Sequence, residues 1–455
     1  MATRDGQETT GVETPFVSRS VPIPSTRLRD VLRLERPIHA TWTAPDEPTI
    51  VASGVATTIT ASGTNRFDSI ESAGQAAFDA LEMESVPAVA RPRFVGGFAF
   101  HDRHERVSPW EDFPGAWFVL PAVQFVLADG GGWITLTARA DERDGEEIED
   151  TLTALQDDLV ESGAVSDPPG VVATSKATTY DEWSTQLDAA LSRIDAGTLE
   201  KVTLAQTLRA ELGDRFPLAG TLDRLGEMYP RCYRFAFRPA AERRRPTAPG
   251  EEPPDVPTYF GASPERLVAR RGSTIETGAL ASTVARGDDD AEDARLAERL
   301  RTDEKFEREH GVVVDSIRRQ LEPITGSIRA GDRRIRRLRT VQHLYTPIEA
   351  ETHADHVLDV VAAMHPTPAV GGRPPDVALE TIRESETFER GWYAAPVGWF
   401  DDSGDGTFAV GIRSAVATES KAILFAGNGI VAASDPSAEW DEVHLKYEPI
   451  LDALR

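Results

Sequence analysis

The sequence predicts an α+β fold built on large antiparallel β-sheets. Runs of short apolar strands alternate with long amphipathic helices, and no regular strand–helix–strand period indicates a parallel sheet. The chain has 455 residues, of which 40% are hydrophobic and 27% are charged. This length and composition are typical of a globular protein with a sizeable buried core. A change of pattern near residue 175 places a soft boundary between a β-rich part, 1–175, and a second part, 176–455.

The N-terminal part is predicted to consist mainly of strands. Short apolar runs between turn-rich breaks, at 94–100, 117–121 and 132–137, predict strands of an antiparallel meander. A helix is expected at about 146–162, and the stretch 166–179 is expected to be loose.

The C-terminal part opens with a helix and a strand. Apolar residues at three- and four-residue spacing predict a helix that begins near Asp181 and stops at Gly197. A strand follows over 201–208, and its period of two places Lys201 on a face with small residues. The segment 238–257 is rich in Pro, Glu and Arg without a periodic pattern, which indicates an exposed insertion in a hairpin.

Two further helical regions follow. One long helix, or two abutting helices, is expected over 289–321, with Glu309 bordering the apolar side. The last helix begins after Asp435, a cap residue followed by Pro436 at the first helical position. Three charged side chains share one face of that helix: Glu439, Glu442 and Lys446.

The charge balance argues against some partners. The chain has 75 Asp and Glu residues against 49 Lys and Arg residues, a formal charge of −26. Nucleic-acid binding depends on clustered basic charge, so neither a nucleic acid nor an anionic membrane surface is expected as a partner. Only five of the basic residues are lysines. A diffuse acidic excess with so few lysines indicates a halophilic protein that stays soluble in a salt-rich cytoplasm.

Several features predict a cytoplasmic monomer. Cys232 is the single cysteine, so no intrachain disulfide can form and a reducing compartment is favoured. Residues 1–15 lack the basic-then-apolar order of a signal peptide. No apolar run approaches the roughly 20 residues of a membrane span. The sequence contains no long exposed heptad pattern that would require a partner chain.

Two basic residues are candidates for chemistry. Lys201 lies on a strand that is otherwise apolar or small, so its amine either reaches solvent or occupies a functional cavity where burial lowers its pKa. Arg413 lies in an equally apolar strand, and its guanidinium requires an anionic partner. That partner is either an internal carboxylate or a substrate. The residue pattern leaves both alternatives open.

Two further candidates rest on weaker patterns. Glu309 and Glu442, one on each long helical region, could hold Mg²⁺ with waters and an anionic substrate, or could be solvated surface charges. The segment Gly427-Asn428-Gly429 follows an apolar strand and predicts a turn, whose backbone N–H groups could receive a carboxylate. The sequence lacks the motifs of a nucleophile elbow, a phosphate-binding loop and a zinc protease.

Nine motifs follow one another from about Tyr180 to Leu454. They are KVTLA at 201–205, FGASPERL at 260–267, ETGALAST at 276–283, EH at 309–310, VQHL at 341–344, HPTPAV at 365–370, VGW at 397–399, AGNGI at 426–430 and EWDE at 439–442. In this combination and order they resemble the chorismate-utilising, anthranilate synthase component I-like enzymes, most closely those that form isochorismate. The N-terminal part is similar more faintly, through GGFAF at 96–100 and FVLP at 118–121.

The resemblance implies a fold and a reaction. It implies one α+β unit with two stacked antiparallel sheets, helices outside, and a Mg²⁺-dependent site between the sheets. It also implies that Lys201 is the base that activates water for attack at C2 of chorismate. Glu265 is then the acid that protonates the departing C4 hydroxyl.

The same resemblance implies the remaining roles. Glu309 and Glu442 would be the Mg²⁺ ligands, with Glu439 assisting through water, and the metal would hold the ring carboxylate. The enolpyruvyl carboxylate would be bound by Arg413 and Tyr393 and by the backbone N–H groups of Gly427 and Gly429. Lys446 and His343 would lie on the side of the ring carboxylate. The remaining implied substrate-binding residues, which would line the wall of the site, are Ser282, Thr283 and Ala369.

The branch of the family follows from three positions. Relatives with a covalent lysine nucleophile carry it where this chain has Ala281, and relatives that add nitrogen typically lack the lysine at 201. Salicylate-forming relatives usually carry threonine where this chain has Ala369. The resemblance therefore implies an isomerase that converts chorismate to isochorismate, with menaquinone synthesis as the expected pathway. The alternatives are a salicylate synthase and a chorismate-binding relative without turnover.

Three positions depart from the family pattern. Ser282 replaces the glycine that usually precedes Thr283, Phe306 replaces a frequent acidic residue, and Ala395 replaces a frequent glycine. None of these changes removes an implied catalytic group or metal ligand, so an active enzyme is expected.

Overall fold

In the part of the chain that the structure describes, two large β-sheets, of 13 and 10 strands, form the framework. The computed structural model describes residues 15–34, 36–159, 166–241, 255–339 and 341–455. Its strands are β1 (Phe16–Ile23), β2 (Ile38–Thr43), β3 (Thr49–Ser53), β4 (Thr57–Ala61), β5 (Leu81–Glu84), β6 (Phe94–Phe98), β7 (Ala116–Leu120), β8 (Val123–Ala128), β9 (Gly131–Arg139), β10 (Val171–Lys176), β11 (Lys201–Leu212), β12 (Tyr233–Phe237), β13 (Thr258–Ser263), β14 (Arg266–Arg271), β15 (Thr274–Ala285), β16 (Thr325–Ala330), β17 (Arg334–Arg337), β18 (Val341–Thr352), β19 (Gly372–Arg373), β20 (Pro396–Phe400), β21 (Gly406–Val410), β22 (Ser414–Ala417) and β23 (Lys421–Ile430).

Helices cover the outer faces of these sheets. They are α1 (Leu28–Leu32), α2 (Arg66–Asp79), α3 (Gly145–Asp158), α4 (Tyr180–Asp195), α5 (Leu218–Met228), α6 (Asp290–Thr302), α7 (Glu304–Leu321), α8 (Val357–Met364), α9 (Pro375–Ser385) and α10 (Pro436–Leu454). Helices α4, α5, α9 and α10 pack on the first sheet, and α2, α6, α7 and α8 pack on the second. The α+β prediction is confirmed. Within the described segments, no helix combines the length and apolarity needed to cross a membrane.

Each sheet combines strands from both parts of the chain. The first sheet has the order β10-β11-β23-β22-β13-β12-β2-β3-β8-β9-β1-β5, with β19 paired to β11, and the second has the order β16-β18-β15-β14-β21-β20-β6-β7-β4, with β17 paired to β18. Pairing is antiparallel, except that β1 and β5 are parallel. The pairs β2/β12 and β6/β20 join strands that precede residue 175 to strands that follow it. The boundary near residue 175 stays a prediction.

The structure corrects two expectations for the N-terminal part. The strands predicted at 94–137 do not form one meander, because β6 and β7 belong to the second sheet whereas β9 belongs to the first. The stretch 166–179, expected to be loose, contains the edge strand β10, which pairs with β11. Helix α3 confirms the helix expected at about 146–162, and residues 160–165 lie outside the described residues.

Local capping explains where the helices near the site begin and end. Thr179 and Glu182 form a capping box at the start of α4. Asp303 ends α6 and caps α7 through the backbone N–H of Lys305, so the region 289–321 forms two helices rather than one. The Asp435 side chain accepts hydrogen bonds from two backbone N–H groups at the start of α10, with Pro436 at its first position as predicted.

The main hydrophobic core contains residues of both sheets and of the helices that pack on them. One continuous buried cluster contains Tyr259 and Phe425 from the first sheet together with Phe98 and Phe408 from the second. A smaller cluster lies against α3. The strands β12 and β13 pair as the hairpin that the sequence predicted, and residues 242–254 of its insertion lie outside the described residues.

Candidate active site

One cavity, of about 200 Å³, is bordered by strands of both sheets and by α7 and α10. All fourteen site residues named from the sequence line it: Lys201, Glu265, Ser282, Thr283, Glu309, His343, Ala369, Tyr393, Arg413, Gly427, Gly429, Glu439, Glu442 and Lys446. A second cavity of about 450 Å³, between α2 and the loop at 402–404, contains none of them. The structure therefore brings the whole predicted set together, while the chemical role of each member stays a prediction.

Lys201 and Glu265 are both buried in this cavity. Only 8% of Lys201 and 9% of Glu265 are exposed. Burial lowers the pKa of Lys201, against the opposing effect of the Glu309 and Glu265 carboxylates. Burial raises the pKa of Glu265 to about 7, against the effect of the Lys201 and Arg413 cations. Both shifts favour the uncharged forms, a free amine and a protonated carboxyl group. Of the two readings of Lys201, burial in a cavity is the one that the structure supports.

Gly429 provides the space that Lys201 occupies. The strands β11 and β23 pair with Thr203 opposite Gly429, so residue 429 lies beside the start of β11. A Cβ atom on Gly429 would lie 2.6 Å from Cε of Lys201 and 3.1 Å from its Nζ. A residue without a side chain is therefore required for the amine to sit in its present position.

Two neighbouring crossings between the sheets carry Glu265 and Arg413. Glu265 lies on the short link from β13 to β14. Arg413 lies on the link from β21 to β22 and not inside a strand as the sequence predicted, because the apolar run crosses from one sheet to the other there. Because β13 pairs with β22 and β14 pairs with β21, the two links are adjacent. Arg413 adopts a φ of 52°, and it lines the cavity. No carboxylate of the described residues lies within ion-pair distance of the guanidinium, although the Glu442 carboxylate attracts it from further away, so an external anion is favoured as its direct partner.

Helix α10 presents a charged cluster to the cavity. Lys446 forms an ion pair of 2.8 Å with Glu442 and donates a hydrogen bond of 2.9 Å to the carbonyl oxygen of Gly427. Burial has the largest single effect on the pKa of Glu442 and raises it, but the combined effects of the Lys446, Arg413 and Lys305 cations lower it, so the net shift is downward and the carboxylate is ionised. Glu439 accepts hydrogen bonds from Asn428 Nδ2 at 2.8 Å and Ser434 Oγ at 2.7 Å, which fix its orientation.

His343 presents an unsatisfied nitrogen in the cavity wall. Its Nδ1 is 2.9 Å from the Thr283 hydroxyl, whereas its buried Nε2 has no hydrogen-bond partner among the residues that the structure describes. Burial, assisted by the Arg413 and Lys446 cations, holds the pKa of His343 well below 6.5, so the ring is neutral. Buried polar atoms are nearly always paired in native proteins. A bound polar ligand would provide the partner that Nε2 requires.

The segment Gly427-Asn428-Gly429 is not the turn that the sequence predicted. It lies inside β23, which continues to Ile430 and pairs with β11 throughout. Along a strand, successive residues point their N–H groups to opposite sides. The backbone N–H of Thr418 donates to the carbonyl oxygen of Lys421, so the odd-numbered residues of β23 point their N–H groups toward the β22 side. The N–H groups of residues 427 and 429 therefore point to that side, at a level where β22 no longer pairs with β23. These two donors can therefore still receive a carboxylate.

The sequence did not single out several cavity residues. Lys305, at the start of α7, is exposed at the cavity edge and lowers the pKa of Glu442, after the larger effect of Lys446. Three of the five lysines of the chain thus line the cavity, so lysine scarcity was a usable signal. Ser434, which holds Glu439, carried no signal beyond its place near the α10 cap.

The carboxylates of the cavity fit a divalent cation only in part. Among the residues that the structure describes, no group of three or more His, Cys, Asp or Glu side chains is arranged to hold a metal by itself. Glu309 and Glu442 nevertheless line the same cavity from two helices. Mg²⁺ is commonly held by one or two carboxylates, with waters and an anionic substrate completing its six ligands. The donor set suits such an open site rather than a closed protein cage.

A comparison of the sequence with protein-family models defines the class of protein. The model described as "chorismate binding enzyme" matches residues 7–455. The chain therefore belongs to the chorismate-binding enzyme family.

Individual relatives narrow the comparison. The chain is 32% identical over 392 residues to isochorismate synthase MenF of Bacillus subtilis, covering 85% of this chain and 80% of the relative. It is 36% identical over 422 residues to the salicylate biosynthesis isochorismate synthase of Pseudomonas aeruginosa, covering 91% and 84%.

Solved structures agree with this assignment. MenF, the menaquinone-specific isochorismate synthase of Escherichia coli, superposes with a TM-score of 0.78 at 25% identity, covering 97% of this chain and 96% of that one. Anthranilate synthase component I of Streptococcus pneumoniae has a TM-score of 0.69 at 19% identity, covering 99% and 95%, and shares the fold.

Proposed function

We propose that the chain is an isochorismate synthase, an isomerase that converts chorismate to isochorismate for menaquinone biosynthesis. Relatives with this named activity align with more than four fifths of this chain. The observation that carries the proposal is the arrangement of Lys201 and Glu265 in one buried cavity, with pKa values shifted in opposite directions. The cytoplasmic location, the monomeric state, the absence of a nucleic-acid partner and the halophilic character stay predictions from the sequence.

Lys201 and Glu265 divide the proton transfers between them. The neutral Lys201 amine accepts a proton from a water molecule as its oxygen forms a bond to C2 of chorismate. The ring double bonds shift and the C4–O bond breaks, while Glu265 donates its proton to the departing hydroxyl, which leaves as water. One water enters and one leaves, so the product is an isomer. A proton must then pass from Lys201 to Glu265 before the next turnover.

Basic groups in the cavity anchor the two carboxylates of the substrate. Arg413, which lacks an internal ion-pair partner among the described residues, would bind the enolpyruvyl carboxylate with the Tyr393 hydroxyl and the N–H groups of residues 427 and 429. Lys446 and the unpaired Nε2 of His343 would face the ring carboxylate. Thr283, Ser282 and Ala369 complete the wall around the ring.

A Mg²⁺ ion fits the same region of the cavity. Glu309 and Glu442 would hold it, with Glu439 assisting through water. The downward shift of the Glu442 pKa keeps that carboxylate ionised for this role. When bound, the ion would neutralise the charge of the ring carboxylate. The chain's own groups orient the substrate and move the protons.

Product analysis separates this function from its alternatives. Purified protein is incubated with chorismate and Mg²⁺ at high salt, and the products are separated by chromatography. We expect isochorismate without stoichiometric pyruvate, because Ala369 replaces the threonine usual in salicylate-forming relatives. Salicylate with equimolar pyruvate would instead identify a salicylate synthase. Chorismate binding without any product would identify a relative without turnover.

A further inference from the structure

Ser282 occupies a strained position in the cavity wall. Its φ is 58°, and the register of β15 against β18 shifts between Ala281 and Thr283, so Ser282 lies at a β-bulge. Its side chain is buried, with 3% of the residue exposed. Glycine adopts this backbone conformation freely, whereas serine adopts it at a cost in free energy. Strain that persists in a cavity wall indicates that the side chain has a role there.

The hydroxyl of Ser282 is directed at helix α7. Its Oγ donates to the carbonyl oxygen of Phe306 at 3.0 Å and to Oε2 of Glu309 at 3.2 Å, a geometry in which one proton is shared between two acceptors. Phe306 and Glu309 lie one turn apart on α7. The hydroxyl therefore links the bulge of the second sheet to the helix and at the same time orients one carboxylate.

Glu309 depends on this contact for its orientation. Within the described segments, Ser282 is the side chain that hydrogen bonds to the Glu309 carboxylate. The contact holds Oε2 and leaves Oε1 for another partner. A glutamate side chain loses considerable rotamer freedom when it is fixed, so a carboxylate that is already held loses less on binding a cation.

We propose that Ser282 is a positioning residue that fixes the Glu309 carboxylate and thereby sets the affinity of the cavity for Mg²⁺. This inference rests on the proposed function, in which Glu309 is a metal ligand. It also changes the role predicted for Ser282 from the sequence, since its hydroxyl is committed to α7. Contact with the substrate at this position is then left to the backbone N–H.

Substitution to glycine separates positioning from backbone strain. Ser282→Gly removes the hydroxyl and the strain together, whereas Ser282→Ala removes the hydroxyl and keeps the strain. Ser85→Gly is the matched control, because Ser85 has a φ of 56° and lies exposed just beyond β5. Three quantities are measured on the full chain: the unfolding midpoint, the Mg²⁺ dissociation constant by calorimetry with Mg²⁺ alone, and the Mg²⁺ concentration that half-activates turnover.

We expect Mg²⁺ affinity and stability to change independently. Ser282→Gly should weaken Mg²⁺ binding about tenfold, the lower end of the effect of removing a group that orients a metal ligand, while its unfolding midpoint equals or exceeds that of the wild type. Ser282→Ala should weaken binding equally with a lower midpoint. Ser85→Gly should leave the Mg²⁺ constants unchanged.

Several results would overturn the inference. Wild-type Mg²⁺ affinity in Ser282→Gly, or weakened binding only in variants that are also destabilised, would assign Ser282 a structural role alone. A wild-type protein that binds no Mg²⁺ would overturn it as well. A wild-type protein that binds Mg²⁺ but forms no isochorismate would overturn the proposed function and leave the positioning role intact.

Discussion

The substitution Gly429→Ala tests whether the position of the Lys201 amine controls turnover. The added Cβ would lie 2.6 Å from Cε of Lys201, whereas ordinary van der Waals contacts begin at 3.4 Å. The end of the lysine side chain must therefore move by about 0.8 Å. Displacement of a reacting group by about 1 Å can cost on the order of 100-fold in rate. We expect kcat to fall by roughly 10- to 100-fold.

The protein should tolerate this substitution. The atoms that Cβ meets belong to the flexible end of Lys201 and not to the backbone, so the unfolding midpoint should change little. Gly311→Ala is the matched control, because a Cβ there meets no atom of the described part of the chain within 4 Å and alanine favours the helix α7. Both variants are assayed for kcat and KM with chorismate and for thermal unfolding. Wild-type kcat in folded Gly429→Ala protein would refute the argument that the amine must occupy its present position.

Three further predictions concern protons, charge and metal. Because Glu265 must be protonated and its pKa is raised to about 7, kcat/KM should fall as the pH rises above about 7. The residual activity of Glu265→Gln should not show this fall. If the pH profile of the variant matches that of the wild type, Glu265 is not the acid. Lys305→Ala should raise KM for the doubly charged substrate about threefold or more at low salt, with an effect that fades as salt screens it, whereas Lys421→Ala, an exposed lysine outside the cavity, should not. Equal effects of the two lysine variants would count against a local role. Glu442→Ala should sharply raise the Mg²⁺ concentration needed for turnover or abolish activity, and an unchanged Mg²⁺ dependence would exclude Glu442 as a ligand.

Local sequence patterns predicted helices and strands better than they predicted which strands pair. The cap at Asp435 and the stop at Gly197 are short-range features. Helix α10 begins directly after Asp435, and α4 ends just before Gly197. The meander at 94–137 was wrong because an apolar alternation does not reveal which sheet a strand joins. The strand β10 was missed because five of its six residues are exposed, so the strand has no buried face to produce an alternation.

The candidate site shows the same limit at the level of single residues. Lys201 could be identified from its own strand, since a lysine among small and apolar neighbours is informative in a chain with five lysines. Glu309 and Glu442 could not be identified in this way, because the chain has 75 acidic residues and only the family resemblance distinguished these two from the others. The error at residues 427–429 has a physical cause, because small residues favour turns locally, whereas here they allow Lys201 and Tyr393 to approach β23.

The isotopic origin of the C2 hydroxyl of the product tests the central claim most directly. The reaction is run in ¹⁸O-labelled water, and the isochorismate is analysed by mass spectrometry with fragmentation that locates the oxygen. If Lys201 activates water, each isochorismate molecule made by the wild type carries one solvent oxygen at C2. The Lys201→Ala protein should still bind chorismate but form no labelled product. Unlabelled oxygen at C2, or labelled product formed by Lys201→Ala at the wild-type rate, would contradict the account.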